Sequence, residues 1–147
     1  MILFHGTDEG WAAQIVNEGF TRRGMGSRVV LVLTDSLAVA RYYAAVAGYY
    51  NHGAAKMARG VVLAADVKED DLQPDLRAYE ILNKERLQRG ENPVTPPTHW
   101  KRSLKEIGAV VHMGEIPAES VRLVEYVRPA KRTRIADPRP LVRSLAL

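Results

Sequence analysis

Two unbroken apolar runs, VVLVLT at residues 29–34 and GVVLAADV at 60–67, constrain the fold more than any other feature of this chain. A strand with one wet face alternates apolar and polar side chains, whereas a β-branched and leucine run without alternation is typical of a buried strand. A shorter strand candidate, ILFH at 2–5, opens the chain, and Thr7 or Asp8 offers a side-chain oxygen to cap a helix from about Gly10, with Trp11, Ile15 and Val16 as its apolar face. Gly19 is placed to close that helix, and Phe20 to fold back on it. Asp35 or Ser36 caps a second helix, LAVARYYAAVAGYY, on which Leu37, Ala40 and Ala44 share a face while Tyr42 and Tyr43 diverge. A third helix is expected over residues 76–90, closed by Gly90, then a proline-rich loop at 91–98, and strands IGAVVHM at 107–113 and SVRLVEYV at 120–127. The expected class is α+β.

The 147 residues fit one domain, with 46% hydrophobic and 26% charged residues, ordinary values for a globular body. There is no cysteine, hence neither a disulfide framework nor a thiolate zinc site, and the four histidines do not cluster in the sequence; no metal is expected. The apolar stretches are interrupted by Arg41 or Asp66 before a membrane span is reached, and no basic region precedes the first of them, so a soluble, cytoplasmic protein without membrane contact is expected. The net charge of +4 is localised. Residues 128–147 carry six basic side chains (Arg128, Lys131, Arg132, Arg134, Arg139 and Arg143) against Asp137, which leaves residues 1–127 at −1. The reading is therefore a domain at 1–127 and a basic, Pro/Arg-rich tail at 128–147, extended or partly disordered.

LFHGT, a helix, EGF, a glycine-punctuated loop, VLVLTDS and then ARYYA follow one another in order. This set resembles the front half of ADP-ribosyltransferases, and more narrowly the poly(ADP-ribose) polymerase-like or diphtheria-toxin-like H-Y-E group with its small bacterial and phage members. The resemblance covers about the first 45 residues well and the last two strands loosely; residues 68–100 match nothing in it. It implies a split β-sheet core flanked by short helices and a transferase that uses NAD as substrate without a metal. Cleavage of the nicotinamide bond would pass ADP-ribose to a protein or nucleic acid, and the small size suits a toxin or phage effector.

Residue by residue, the resemblance implies that His5 holds a ribose hydroxyl of NAD and that the Gly6 backbone binds the nicotinamide carboxamide. Thr7, next to them, belongs to the same NAD-binding set. Tyr43 falls at the spacing of the tyrosine that stacks on nicotinamide, with Tyr42 beside it, and Arg28 in the glycine loop joins the NAD-binding set. Gly24 and Gly26 fit a donor loop. Val32 stands where the family keeps a strand tyrosine, and Ala40 where relatives often keep a serine. The remaining requirement is a carboxylate against the positive charge that develops on the ribose. A gapless count places that position between Ala109 and His112, on no acid. Glu106 is the preferred candidate, at the expected start of the strand, with Glu115 read as a turn residue, His112 as an alternative partner of the ribose or acceptor, and Asp75 as a remoter one. Two other readings stay open: a non-catalytic NAD, ADP-ribose or nucleic-acid binding module of the same fold, and an RNA 2′-phosphotransferase-like enzyme using Arg22, Arg23 and Arg28. The basic tail suits a nucleic-acid or acidic-protein acceptor, and Trp100 beside Lys101 and Arg102 suits base stacking.

Overall fold

The computed structural model of the chain describes residues 1–21, 30–50 and 58–139, and the following account concerns these. It is a mixed α+β structure with two small antiparallel sheets. The first orders its strands β1 (Ile2–Asp8), β3 (Gly60–Asp66) and β6 (Val121–Val127) as β1-β3-β6; the second orders β2 (Val30–Leu33), β5 (Val110–Met113) and β4 (Leu72–Pro74) as β2-β5-β4. Four α-helices lie among the described residues: α1 (Glu9–Glu18), α2 (Leu37–Tyr49), α3 (Leu76–Gln88) and α4 (Trp100–Ile107).

The unbroken apolar run of β3 follows from burial on both faces. Val61, Leu63 and Ala65 point into the main core with Leu3, Leu31, Leu33 and Val110, while Val62 points the other way, against Ala40 and Ala44 of α2. In the second sheet Leu31, Leu33 and Val110 face that same core, and Val32 faces a smaller cluster built on Tyr79 and Leu82 of α3. The layers are therefore α2, first sheet, core, second sheet, α3. Each fully buried Leu or Val contributes roughly 1.5–3 kcal/mol relative to exposure.

Local signals account for most boundaries. Asp8 caps α1 by accepting from the Trp11 N–H at 3.1 Å, and Ser36 caps α2 by accepting from Val39. Gly19, at φ +81°, ends α1, and Phe20 then pairs with Ile116. Strand β5 departs from expectation. It begins at Val110, because residues 100–107 form helix α4 instead, whose Trp100, Leu104 and Ile107 recur at helical spacing and are buried. The helix closes on Gly108 in the left-handed region, at φ +77°. Strand β4, three residues long, is a further difference from the sequence expectation. The C-terminal segment packs against the body: the Ala130 N–H donates to the Ala45 carbonyl, and residues 132–134 form a 3₁₀ turn. No helix among the described residues is long and apolar enough to cross a membrane.

Candidate functional site

Strands β1 and β2 join the two sheets at one rung and then part. Phe4 and Thr34 exchange both backbone hydrogen bonds, at 2.7 and 2.9 Å. Antiparallel pairing would put the next rung at Gly6 and Val32, two residues on from Phe4 and two residues before Thr34. That rung is open. The Val32 carbonyl accepts instead from the His5 ring at Nδ1, 2.9 Å away. By the two-residue alternation of a strand, the Gly6 N–H and C=O point to the same side as those of Phe4, toward the gap, and among the described residues no strand lies there to pair with them. Unsatisfied backbone donors and acceptors at such an edge are available to a ligand.

Because a carbonyl only accepts, the bond to Val32 fixes the proton on Nδ1 and leaves Nε2 of His5 as an acceptor. Burial pushes the His5 pKa below its ordinary value of 6.5, against a smaller raising effect of the bond to Val32, so the ring is neutral near pH 7. Phe20 holds the ring edge-on, with centroids 5.3 Å apart.

The gap opens into a cavity of about 330 Å³. Phe4, His5 and Gly6 of β1, Val32 and Thr34 form one side; Asp75, Arg77, Ala78, Ile81, Leu82 and Glu85, along the start and one side of α3, form the other; Tyr43 of α2 and Arg139 complete it. Asp75 is buried as the cap of α3, where it accepts from the Ala78 N–H at 3.1 Å while its own N–H donates to the buried Ser103 hydroxyl at 3.0 Å. Arg139 is clamped by the Asp137 carboxylate, at 2.9 and 3.0 Å from its Nε, and donates from Nη1 to the Tyr43 hydroxyl at 2.9 Å with its guanidinium 5.5 Å from the ring centroid. Burial raises the Tyr43 pKa, partly offset by Arg139.

Of the residues singled out in the sequence, His5, Gly6 and Tyr43 come together here. Tyr42 is buried, packed edge-on to Tyr43 at 5.7 Å, and lines neither this cavity nor the groove beside it. Thr7 lines that second groove. Arg28, with Arg22, Arg23, Gly24 and Gly26, lies outside the described residues. Glu106 belongs to α4 rather than to the start of β5; it is paired with Arg102 and lies near the buried Tyr79 phenol, whose pKa burial and then the Glu106 charge push up to about 12. It does not line the cavity. His112 is also away from it, because it stands opposite Leu31 and shares the core-facing side of its sheet; its Nδ1 donates to the Gly114 carbonyl at 3.2 Å and its Nε2 is 3.9 Å from Asp71. The β5 residue opposite Val32 is Val111, followed two residues on by Met113, and no residue of β5 lines the cavity. Trp100 is buried under α4 with His99 stacked on it.

The acids on the cavity wall are Asp75 and Glu85. Asp75 carried a weak sequence signal; Glu85 and Arg77 lie in a segment without resemblance, where the spacing of Ala78, Ile81 and Glu85 along one side of α3 was the available clue. Arg139 gave no local signal, since it reaches Tyr43 across 96 positions of sequence. Among the described residues no group of three or more His, Asp or Glu is placed to hold a metal ion.

No family model matches this chain, and no curated protein matches it. Among solved structures it is similar to EcPltA, at 16% sequence identity and a TM-score of 0.45, over 92% of this chain and 87% of that one.

Proposed function

We propose that this chain is an NAD-dependent ADP-ribosyltransferase built on the split β-sheet core of that superfamily, transferring ADP-ribose from NAD to a macromolecular acceptor. The observation that carries the reading is the open Gly6–Val32 rung, which leaves one backbone N–H and one C=O of Gly6 facing a cavity shared with His5 and Tyr43. A primary carboxamide offers the complementary pair, an oxygen acceptor and an N–H donor. Tyr43 supplies a face for the pyridinium ring. The neutral Nε2 of His5 is a hydrogen-bond acceptor for a ribose hydroxyl.

In the reaction the C1′–N bond of the nicotinamide riboside breaks, its electron pair leaving with nicotinamide, and positive charge develops on the ribose. A lone pair of the acceptor closes the new bond to C1′, and the acceptor's proton passes to a carboxylate or to water. No residue of β5 lines the cavity, and the carboxylates placed to stabilise the ribose charge are Asp75 and Glu85 of the α3 wall. Incubation of the full chain with NAD, with nicotinamide followed by chromatography and label transfer followed in a lysate, tests the reading. Nicotinamide release abolished by His5→Ala is expected; wild-type protein that neither releases nicotinamide nor transfers label refutes it. The absence of an acid on the β5 face favours a second reading, a module that binds NAD or ADP-ribose without turnover, for which calorimetry would record NAD binding in the absence of product.

A further inference from the structure

On the other side of Gly6 and Tyr43 lies a second, more open groove of about 780 Å³, which shares these two residues with the cavity. Trp11 of α1 and Tyr50 at the end of α2 line it, and both are nearly half exposed, at 49% and 45%. Two large aromatic side chains on separate elements, Trp11 and Tyr50, thus present accessible ring surface to one groove. Arg132 and Thr133, from the 3₁₀ turn of the C-terminal segment, also line it. Next to them Lys131 places its ammonium 5.7 Å from the Tyr49 ring, which is itself edge-on to Tyr50 at 4.9 Å. The acid at the groove, Asp8, already accepts from the Trp11 N–H. Aromatic faces interleaved with exposed cations, in a segment that holds six basic residues against one acid, match a chain of stackable rings joined by anions.

We infer that the groove bounded by Trp11, Tyr50 and Arg132 is a binding site for single-stranded nucleic acid, with bases stacked on the two aromatic rings and phosphates on Lys131 and Arg132. Its role as the acceptor subsite rests on the transferase reading: the shared Gly6–Tyr43 wall brings a strand in the groove alongside the cavity in which C1′ would be exposed. Binding itself does not depend on that reading. Every base offers a π-face, so stacking here is tolerant of sequence, and duplex DNA, whose bases are already stacked, is the poorer ligand.

The test is fluorescence anisotropy of a short labelled oligothymidylate with the full chain, without NAD, at several KCl concentrations, together with quenching of tryptophan emission; Trp11 is the exposed one of the two tryptophans. Expected results are binding that weakens steeply with salt, quenching that is lost in Trp11→Phe/Trp100 intact protein, and an affinity reduced about tenfold or more in Trp11→Ala and in Tyr50→Ala. Arg132→Ala is expected to flatten the salt dependence. Circular dichroism establishes that the variants are folded, and both rings are exposed enough for the substitutions to be tolerated. The inference is overturned if the wild type does not bind, if both aromatic variants bind as the wild type does, or if polyglutamate competes equally well, which would assign the surface to an acidic protein. Nicotinamide release by the same protein is measured separately, so failure of the groove and failure of the transferase reading are distinguishable.

Discussion

The contact most open to perturbation in the candidate site is the one Arg139 makes with Tyr43. A planar cation already sits against the ring on which a pyridinium would stack, and it is held there by Asp137. Both partners of the Asp137–Arg139 pair are mostly buried, with side-chain exposures of 15% and 22%. A ligand that stacks on Tyr43 has to displace one charge-assisted hydrogen bond, worth about 1.5–3 kcal/mol, together with a weaker cation–π contact. Deleting the guanidinium removes that competitor before the ligand arrives. Arg139→Ala is accordingly expected to bind NAD about ten- to a hundredfold more tightly than the wild type, since each 1.4 kcal/mol is a factor of ten.

Titration calorimetry with NAD and with free nicotinamide measures the change, and the Asp137→Ala/Arg139→Ala double variant separates loss of the competitor from exposure of an unpaired Asp137 carboxylate. Unchanged affinity in both variants would refute the competition argument. Weaker NAD binding would also refute it, and would assign Arg139 to the phosphates of the ligand instead.

Other expectations follow from single contacts. Gly6→Ala puts a methyl group 2.2 Å from the Ala40 carbonyl oxygen and 2.6 Å from the Ala44 nitrogen, so α2 must move; a loss of about 3 kcal/mol in urea unfolding is expected, independent of any ligand. Ser103 is fully buried and donates to the Ala109 carbonyl at 2.7 Å while accepting from Asp75; Ser103→Ala leaves both groups unpaired and should cost about 2–4 kcal/mol in the same assay. Because the folded His5 has a pKa below 6.5, the unfolded chain takes up a proton that the folded chain refuses as pH falls below about 6.5; stability contributed at neutral pH is lost toward the folded pKa, and His5→Asn, which keeps a donor for Val32, should flatten the dependence of Tm on pH in that window. Asp75→Asn preserves a capping side chain for α3 and should reduce nicotinamide release about a hundredfold or more; Glu85→Gln and Glu106→Gln rank the three acids, with the largest loss expected at Asp75 on the cavity wall.

The elements that declared themselves in the sequence are those whose cause is local. The β3 run GVVLAAD is unbroken because both of its faces are buried, and the caps at Asp8 and Ser36 are read from side-chain chemistry a few residues away. Helix α4 was hidden for a local reason too. Four of its eight residues are basic or acidic neighbours of the buried ones, and the Ile-Gly-Ala-Val-Val at its end looks like a strand from its first residue until the left-handed Gly108 is known to separate helix from strand. With Gly108 as the boundary, Glu106 lies on the helix and not at a strand edge. The α3 wall and Arg139 were illegible for another reason: nothing within a few residues of Glu85 or Arg139 records that each will face β1 or Tyr43, because the contact is made by the packing of layers.

Gly6 illustrates how two demands coincide on one residue type. On the sequence alone its missing side chain suits close approach of a ligand's amide to the backbone. In the structure the absent Cβ points at α2, where Ala40, Ala44 and Gly48 form a stripe of small residues, and Gly60 on the neighbouring strand meets the same stripe with the Ala44 oxygen 2.3 Å from an added Cβ. Glycine at this position is therefore required by helix packing before any ligand is considered. The open rung is a separate feature, made by the His5 ring taking the Val32 carbonyl that Gly6 would otherwise bind. The close seat of α2 is what brings Tyr43 over that rung, so the packing requirement and the cavity have one origin: a helix drawn tightly onto the edge strand at the place where the two sheets part.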